Sequence, residues 1–136
     1  MAEALLTHID SGNFQGASAT LEGQNAHPIC VEVMQEFGIS LPNGKSLEEL
    51  RGQHFDFVIT LDETSAKQNY SMLASETVHW RIDDPMACPD DQAKRKAFQS
   101  VRDQIAQRLR LFAIVIARAR VLTAVAGRLS KVATNP

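Results

Sequence analysis

The sequence predicts an α/β fold, a three-layer sandwich built on a parallel sheet. Three observations predict it. Phe55-Asp56-Phe57-Val58-Ile59-Thr60-Leu61 is nearly continuous in apolar character, which suits a central strand covered on both faces. Val78, Trp80 and Ile82 alternate with Thr77, His79 and Arg81, the period of a strand with one better-covered face. Helical patterns precede, separate and follow these runs, and strands alternating with helices place helices on the faces of a parallel sheet.

In chain order, Met1-Ala2-Glu3-Ala4-Leu5-Leu6-Thr7-His8-Ile9 is a good helix former with no cap residue ahead of it. Asp10-Ser11-Gly12-Asn13 is a turn cluster, and Phe14 to Ala19 is a weak strand candidate of small residues. Pro28 stands at a first helical position, with Ile29, Val33, Met34 and Phe37 on one face and Gly38 placed to close the helix. Leu41-Pro42-Asn43-Gly44 is a turn, and Ser46-Leu47-Glu48-Glu49 has capping-box spacing for a short helix. Asp62 can cap a helix from Glu63 to about Tyr70. After Asp90-Asp91, the residues Ala97, Phe98, Val101, Ile105, Leu109 and Phe112 recur at helical spacing over about 20 residues.

The chain of 136 residues fits one domain and is long enough for a sizeable core. It is 44% hydrophobic and 22% charged with a net charge of -2, which describes a globular protein without a global pull toward nucleic acid. The cysteines Cys30 and Cys88 form neither a disulfide framework nor a Cys-x-x-Cys pair, and no basic-then-apolar leader opens the sequence, so a reducing cytoplasm is the expected compartment.

Chemistry concentrates at His79-Trp80-Arg81-Ile82-Asp83-Asp84-Pro85. Proline removes a donor and favours an extended residue before it, so Asp84 is expected on a loop just past a strand's carboxyl end. Ligands of open α/β sheets bind at that edge. By spacing alone, an ordinary strand exit is the favoured reading of the stretch. Gly38 to Ser46 imitates a phosphate-binding loop but has five residues between its glycines and follows a helix, so that reading is rejected. His8, His27, His54 and His79 lack metal-ligand spacing and are read as surface or helix-capping residues, and no metal or cofactor is expected. The Arg and Lys residues of the long helix are read as a solvated face.

Six pieces occur in one order and spacing: Met-Ala-Glu-Ala-Leu-Leu at the start, Ser18-Ala19, Asn25-Ala26-His27-Pro28, Phe-Asp-Phe-Val-Ile-Thr-Leu, His-Trp-Arg-Ile-Asp-Asp-Pro, and Phe98-Gln-Ser-Val-Arg-Asp-Gln-Ile105. Together they resemble the low-molecular-weight protein tyrosine phosphatase fold, and within it the thioredoxin-coupled arsenate reductases, over about residues 1–112. The resemblance implies a four-stranded parallel sheet. Its chemistry would sit on a loop after the first strand containing a cysteine, five residues, arginine and serine. Backbone N–H groups and a helix amino end there cradle a tetrahedral oxyanion, arginine clamps it and a thiolate attacks.

This sequence departs from that pattern. The loop and the first central strand, between Phe14–Ala19 and Phe55–Leu61, are missing, and Met1 coincides with the methionine that follows the loop, so the start is read as a truncation or an artefact. The reductases' redox relay places a cysteine after the Ile-Thr-Leu-like strand and another about seven residues on, where this chain has Asp62 and, nearby, Gln68. Thr20 replaces the glycine usual after Ser-Ala. One functional residue carries over by resemblance: Asp84 matches the general acid of the Asp-Pro loop. Glu3 and Ser18 match residues that hold a monovalent cation in some reductases, but no cation is assigned.

Residues 1–112 are therefore expected to form a phosphatase- or arsenate-reductase-like domain, and residues 113–136 a basic apolar extension. The extension contains Arg118, Arg120, Arg128 and Lys131 and no acid, and arginine interrupts it too often for a membrane span. Three readings of it are ranked: continued helix packing on the domain or a second copy, a basic amphipathic surface segment, and a new strand at Ala113–Ala117. The resemblance implies arsenate reduction through a cysteine adduct, with phosphotyrosine hydrolysis as the runner-up. The chain as written is expected to be inactive, and its rival class is a non-enzymatic binding or oligomerisation module. An oxyanion substrate, if the loop is restored, and a thioredoxin-type reductant are the implied partners.

Overall fold

The computed structural model describes the backbone of residues 1–133 and the side chains of residues 1–126. It is an α/β architecture in the order α1 (Ala2–Asp10), α2 (Pro28–Gln35), β1 (Phe55–Thr60), α3 (Glu63–Ala66), β2 (Ala74–His79) and α4 (Asp91–Ala133), with single 3-10 turns at Leu47–Leu50 and Pro85–Ala87. β1 and β2 are parallel, in a register that sets Phe55 beside Ala74 and Thr60 beside His79.

Local chemistry explains most boundaries. Asp10 ends α1 by accepting from the Asn13 N–H at 3.2 Å, which turns the chain. His27 caps α2, its Nδ1 accepting from the Ile29 N–H at 3.2 Å, and Pro28 follows in the position where a missing donor costs nothing. Gly38 closes α2 at φ +68°, a left-handed conformation that glycine adopts without steric cost. The Glu49 carboxylate accepts from the Ser46 N–H at 2.7 Å, one arm of the expected capping box. Asp62 caps α3 by accepting from the Ser65 N–H at 2.8 Å, and the Asp90 carboxylate accepts from the Ala93 N–H at 2.8 Å to open α4.

The core lies where α1 and α2 meet α4. Ala4, Leu5, Met34, Ile39, Val101, Ile105, Ala106 and Leu109 form one cluster, and Ile29, Cys30, Val33 and Phe98 form another. Each large side chain buried this way contributes about 1.5–3 kcal/mol. Phe112 sits at the junction with the sheet, its ring centroid 5.1 Å from Phe57, 6.1 Å from Phe14 and 6.2 Å from Trp80.

Several expectations are corrected. Phe14–Ala19 is not a strand: its small residues offer little surface to bury, and the pairing nearby is a single bridge between Thr20 and Ser46. β1 is half-buried and pairs with β2 alone among the described residues, so it is an edge strand where its apolar run suggested a central one. β2 begins and ends three residues before the expected Thr77–Ile82. Past the last rung of the ladder, where the Trp80 N–H meets the Thr60 carbonyl, Trp80 and Ile82 pack on the cluster shared by α1 and α4. α3 stops at Ala66, because Tyr70 folds back to donate its hydroxyl to the Ser65 carbonyl at 2.8 Å.

Arg102 overturns the solvated-face reading of the long helix's cations. It is 6% exposed, donates to the Val33 carbonyl at 3.0 Å and to Glu36 at 3.1 Å, and its guanidinium lies 3.8 Å from the Phe37 ring centroid. Phe37 itself, expected on the buried face, is 55% exposed and is covered by the arginine on one side of its ring. α4 continues through residues 112 and 113 without a break, so Ala113–Ala117 is helix and not the alternative strand. Residues 134–136 of the extension lie outside the described backbone.

Candidate active site at the carboxyl edge of the sheet

Asp84 lies five residues past the end of β2, at the carboxyl edge where open α/β sheets place their ligands. Its backbone is extended (φ -74°, ψ 110°), as the following proline favours. One carboxylate oxygen accepts from the Met86 N–H at 2.9 Å, fixing the side chain across the Pro85–Ala87 turn. The residue is exposed, open to solvent and to a ligand.

The approach to Asp84 is held from three sides. Trp80 and Ile82 pack against the cluster containing Ala4, Leu5 and the partly buried Met1 and Ala2 of α1's first turn. Arg108 of α4 donates to the Arg81 carbonyl at 3.2 Å. The Trp80 N–H donates to the Thr60 carbonyl at 2.9 Å, tying the exit of β2 to the end of β1. The strand exit that leads to Asp84 is thus anchored on the cluster that α1 shares with α4. No side chain caps the first N–H groups of α1.

The structure also joins Glu3 and Ser18, the Ser18 hydroxyl donating to Glu3 Oε2 at 2.5 Å. Among the described residues no group of three or more His, Cys, Asp or Glu side chains is placed to hold a metal ion. Gly44 explains the loop that imitates a phosphate site. A Cβ there would stand 2.2 Å from the Gln24 carbonyl oxygen, so the glycine permits close packing of two loops. Neither of two shallow depressions, one along Lys67–Ser71 and one along Ser11–Gly16, is lined by Asp84.

A polar group that spacing did not single out surrounds the ends of the strands. His79 Nδ1 lies 2.9 Å from the Thr60 hydroxyl across the parallel pair, and Nε2 lies 3.7 Å from a Glu63 oxygen. Asp62 is next to them, where the Ser65 hydroxyl and N–H hold its carboxyl below the usual range. The Thr60–His79 register was the missing signal, because a one-residue slip would put this histidine on the other face. Cys30 is buried against Val33 and Phe98, and burial pushes its thiol up from the ordinary value, the opposite of what a nucleophile needs. Cys88 is half-buried beyond the Asp-Pro turn.

The profile described as "Low molecular weight phosphotyrosine protein phosphatase" matches residues 1–122, and the chain belongs to that family. Within it, the chain is similar to arsenate reductases. The arsenate reductase of Halalkalibacterium halodurans is 33% identical over 100 residues, 71% of this chain and 72% of that protein. The glutaredoxin arsenate reductase of Synechocystis sp. is 26% identical over 112 residues, 80% of this chain and 82% of that protein. A solved structure of an arsenate reductase in the reduced state superposes with a TM-score of 0.68 at 23% identity, covering 85% of this chain and 86% of that one, which establishes the shared fold. No helix among the described residues is long and apolar enough to cross a membrane.

Proposed function

We propose that this chain carries the scaffold and the proton donor of an arsenate reductase, and that its 136 residues alone do not turn over arsenate. The observation that carries the reading is Asp84 at the sheet's carboxyl edge, fixed by Met86 and reached through residues packed on α1. The similar proteins being arsenate reductases supports the substrate.

In this reading, the free N–H groups at the amino end of α1 face the arsenate oxyanion and Asp84 protonates the oxygen that leaves as water. The attacking thiolate and clamping arginine must come from a Cys-x5-Arg segment. Cys30 is followed at the sixth position by Glu36 and Cys88 by Lys94, so neither supplies it. Asp62 stands where the family's relay has a cysteine, so the electrons are passed without that thiol, to the adduct directly from an external thioredoxin- or glutaredoxin-type dithiol. Hydrolysis of a phosphate ester is the second reading, favoured by Asp62 and Gln68 standing where the relay has cysteines.

The purified chain is assayed with arsenate plus thioredoxin and its reductase, with arsenate plus glutaredoxin and glutathione, and with an aryl phosphate. No turnover is expected in any of them, and turnover of any one overturns the inactive reading. Joining a strand-Cys-x5-Arg-Ser segment ahead of Met1 is expected to create activity. In that fusion Asp84→Asn lowers the rate roughly 10²–10⁴-fold. A fusion whose rate is unchanged by Asp84→Asn removes the proton-donor role.

A further inference from the structure

From Leu111 onward helix α4 leaves one apolar side uncovered, while Phe112 and Arg120 on its other side still meet the body. Leu111, Ile114, Val115, Val121, Leu122 and Val125 are exposed, from 46% at Val125 to 70% at Leu122. At 3.6 residues per turn these six fall within about 60° on either side of Arg118. Positions 111, 114, 118, 121 and 125 alternate steps of three and four, the spacing of a seam that receives another helix. Arg118 stands in the middle of that seam and makes no hydrogen bond or ion pair among the described residues.

Charge selects the occupant. The last acid in the sequence is Asp103, and Arg108, Arg110, Arg118, Arg120, Arg128 and Lys131 follow it. Two of these are engaged by the body: Arg108 donates to the Arg81 carbonyl, and Arg120 donates to the Asn13 carbonyl at 3.2 Å and lies 3.5 Å from Asp56. A second copy laid on the same stripe, parallel in register or antiparallel about its centre, would set Arg118 against Arg118 with no acid on either helix beyond Asp103. A lipid surface would have to draw Arg118 out of the middle of the apolar face. A helix with apolar seam residues and one carboxylate opposite Arg118 satisfies both the stripe and the charge.

We propose that the exposed face of α4 from Leu111 to Val125 docks an acidic amphipathic helix of a partner protein, one carboxylate of which pairs with Arg118. This surface is separate from the Asp84 neighbourhood and does not depend on the arsenate chemistry.

The test uses the full chain and two synthetic four-heptad peptides: one with aliphatic seam residues, flanking glutamates and a single central seam glutamate, the other with lysine in place of every glutamate. The acidic peptide is expected to bind at least roughly tenfold more tightly in fluorescence anisotropy. Arg118→Glu reverses that preference and Leu122→Asp removes binding of both, while melting temperature and far-UV circular dichroism stay those of the parent. Equal affinities, no binding of either peptide, or indifference to Arg118→Glu overturns the proposal. So does a dimer in sedimentation that Leu122→Asp dissolves, or tighter binding to phosphatidylglycerol–phosphatidylcholine vesicles than to the acidic peptide.

Discussion

The two halves of α4 share one backbone geometry and obey opposite rules. From Phe98 to Ala113 the helix presents Phe98, Val101, Ile105, Leu109 and Ala113 to the body, and all are buried. From Ile114 to Val125 it carries Ile114, Val115, Ile116, Val121, Leu122 and Val125, and all but Ile116 are exposed. The polar side differs as well. Arg95 pairs with Glu32 and Glu36, and Arg102 with Glu36 and Asp103, whereas in the second half Arg120 reaches Asp56 from the side facing the body and Arg118, on the open side, has no carboxylate in reach among the described residues. Helix propensity is satisfied in both halves, so burial is decided by what lies opposite and not by the residues' own preferences.

Core deletion breaks this contrast most strongly. Ile105→Ala is expected to cost about 2–5 kcal/mol in urea unfolding, because it empties a site between α1 and α4, while Leu122→Ala changes stability by less than about 0.5 kcal/mol. Similar losses for both would mean that the overhanging half is packed in solution. Arg102→Ala should cost about 2–3 kcal/mol through its bonds to Val33 and Glu36, and Arg118→Ala nothing measurable by the same titration.

Smaller effects sharpen the comparison. Asp62→Ala is expected to lose about 1 kcal/mol as the cap of α3, a local term independent of α4. Its carboxyl is held low in the folded state, chiefly by Ser65, so its stabilisation is complete above the ordinary carboxylate pKa and is lost as pH falls through the lowered one. An acid titration of unfolding should therefore be flatter in Asp62→Asn than in the parent, and an unchanged slope would remove the cap from the account. The smallest perturbation is isotopic: amides of Phe98–Leu109 should exchange more slowly than those of Ile114–Val125, and uniform protection along α4 would contradict an overhang.

The site is harder to read from the sequence than the helices are. Asp84 was visible because Asp-Pro dictates local backbone, and Asp62 and His27 because capping is local chemistry. Glu3 with Ser18 came through resemblance, and the structure brings the two side chains into contact. Thr60 with His79 is fixed by strand register, and Arg102 by the distance between α2 and α4, neither of which has a local signature.

By itself the sequence determined the helix periods, the caps at His27 and Asp62, the turn glycine at Gly38 and the apolar run of β1. These depend on interactions within about four residues and so survive without knowledge of the fold. Tertiary structure alone decided that β1 is an edge strand, that Trp80 and Ile82 pack on the α1–α4 cluster past the end of β2, and that α4 is core in one half and open surface in the other. The reason is that a side chain's burial, unlike its backbone's preference, is a property of the partner segment brought opposite it across long sequence separation.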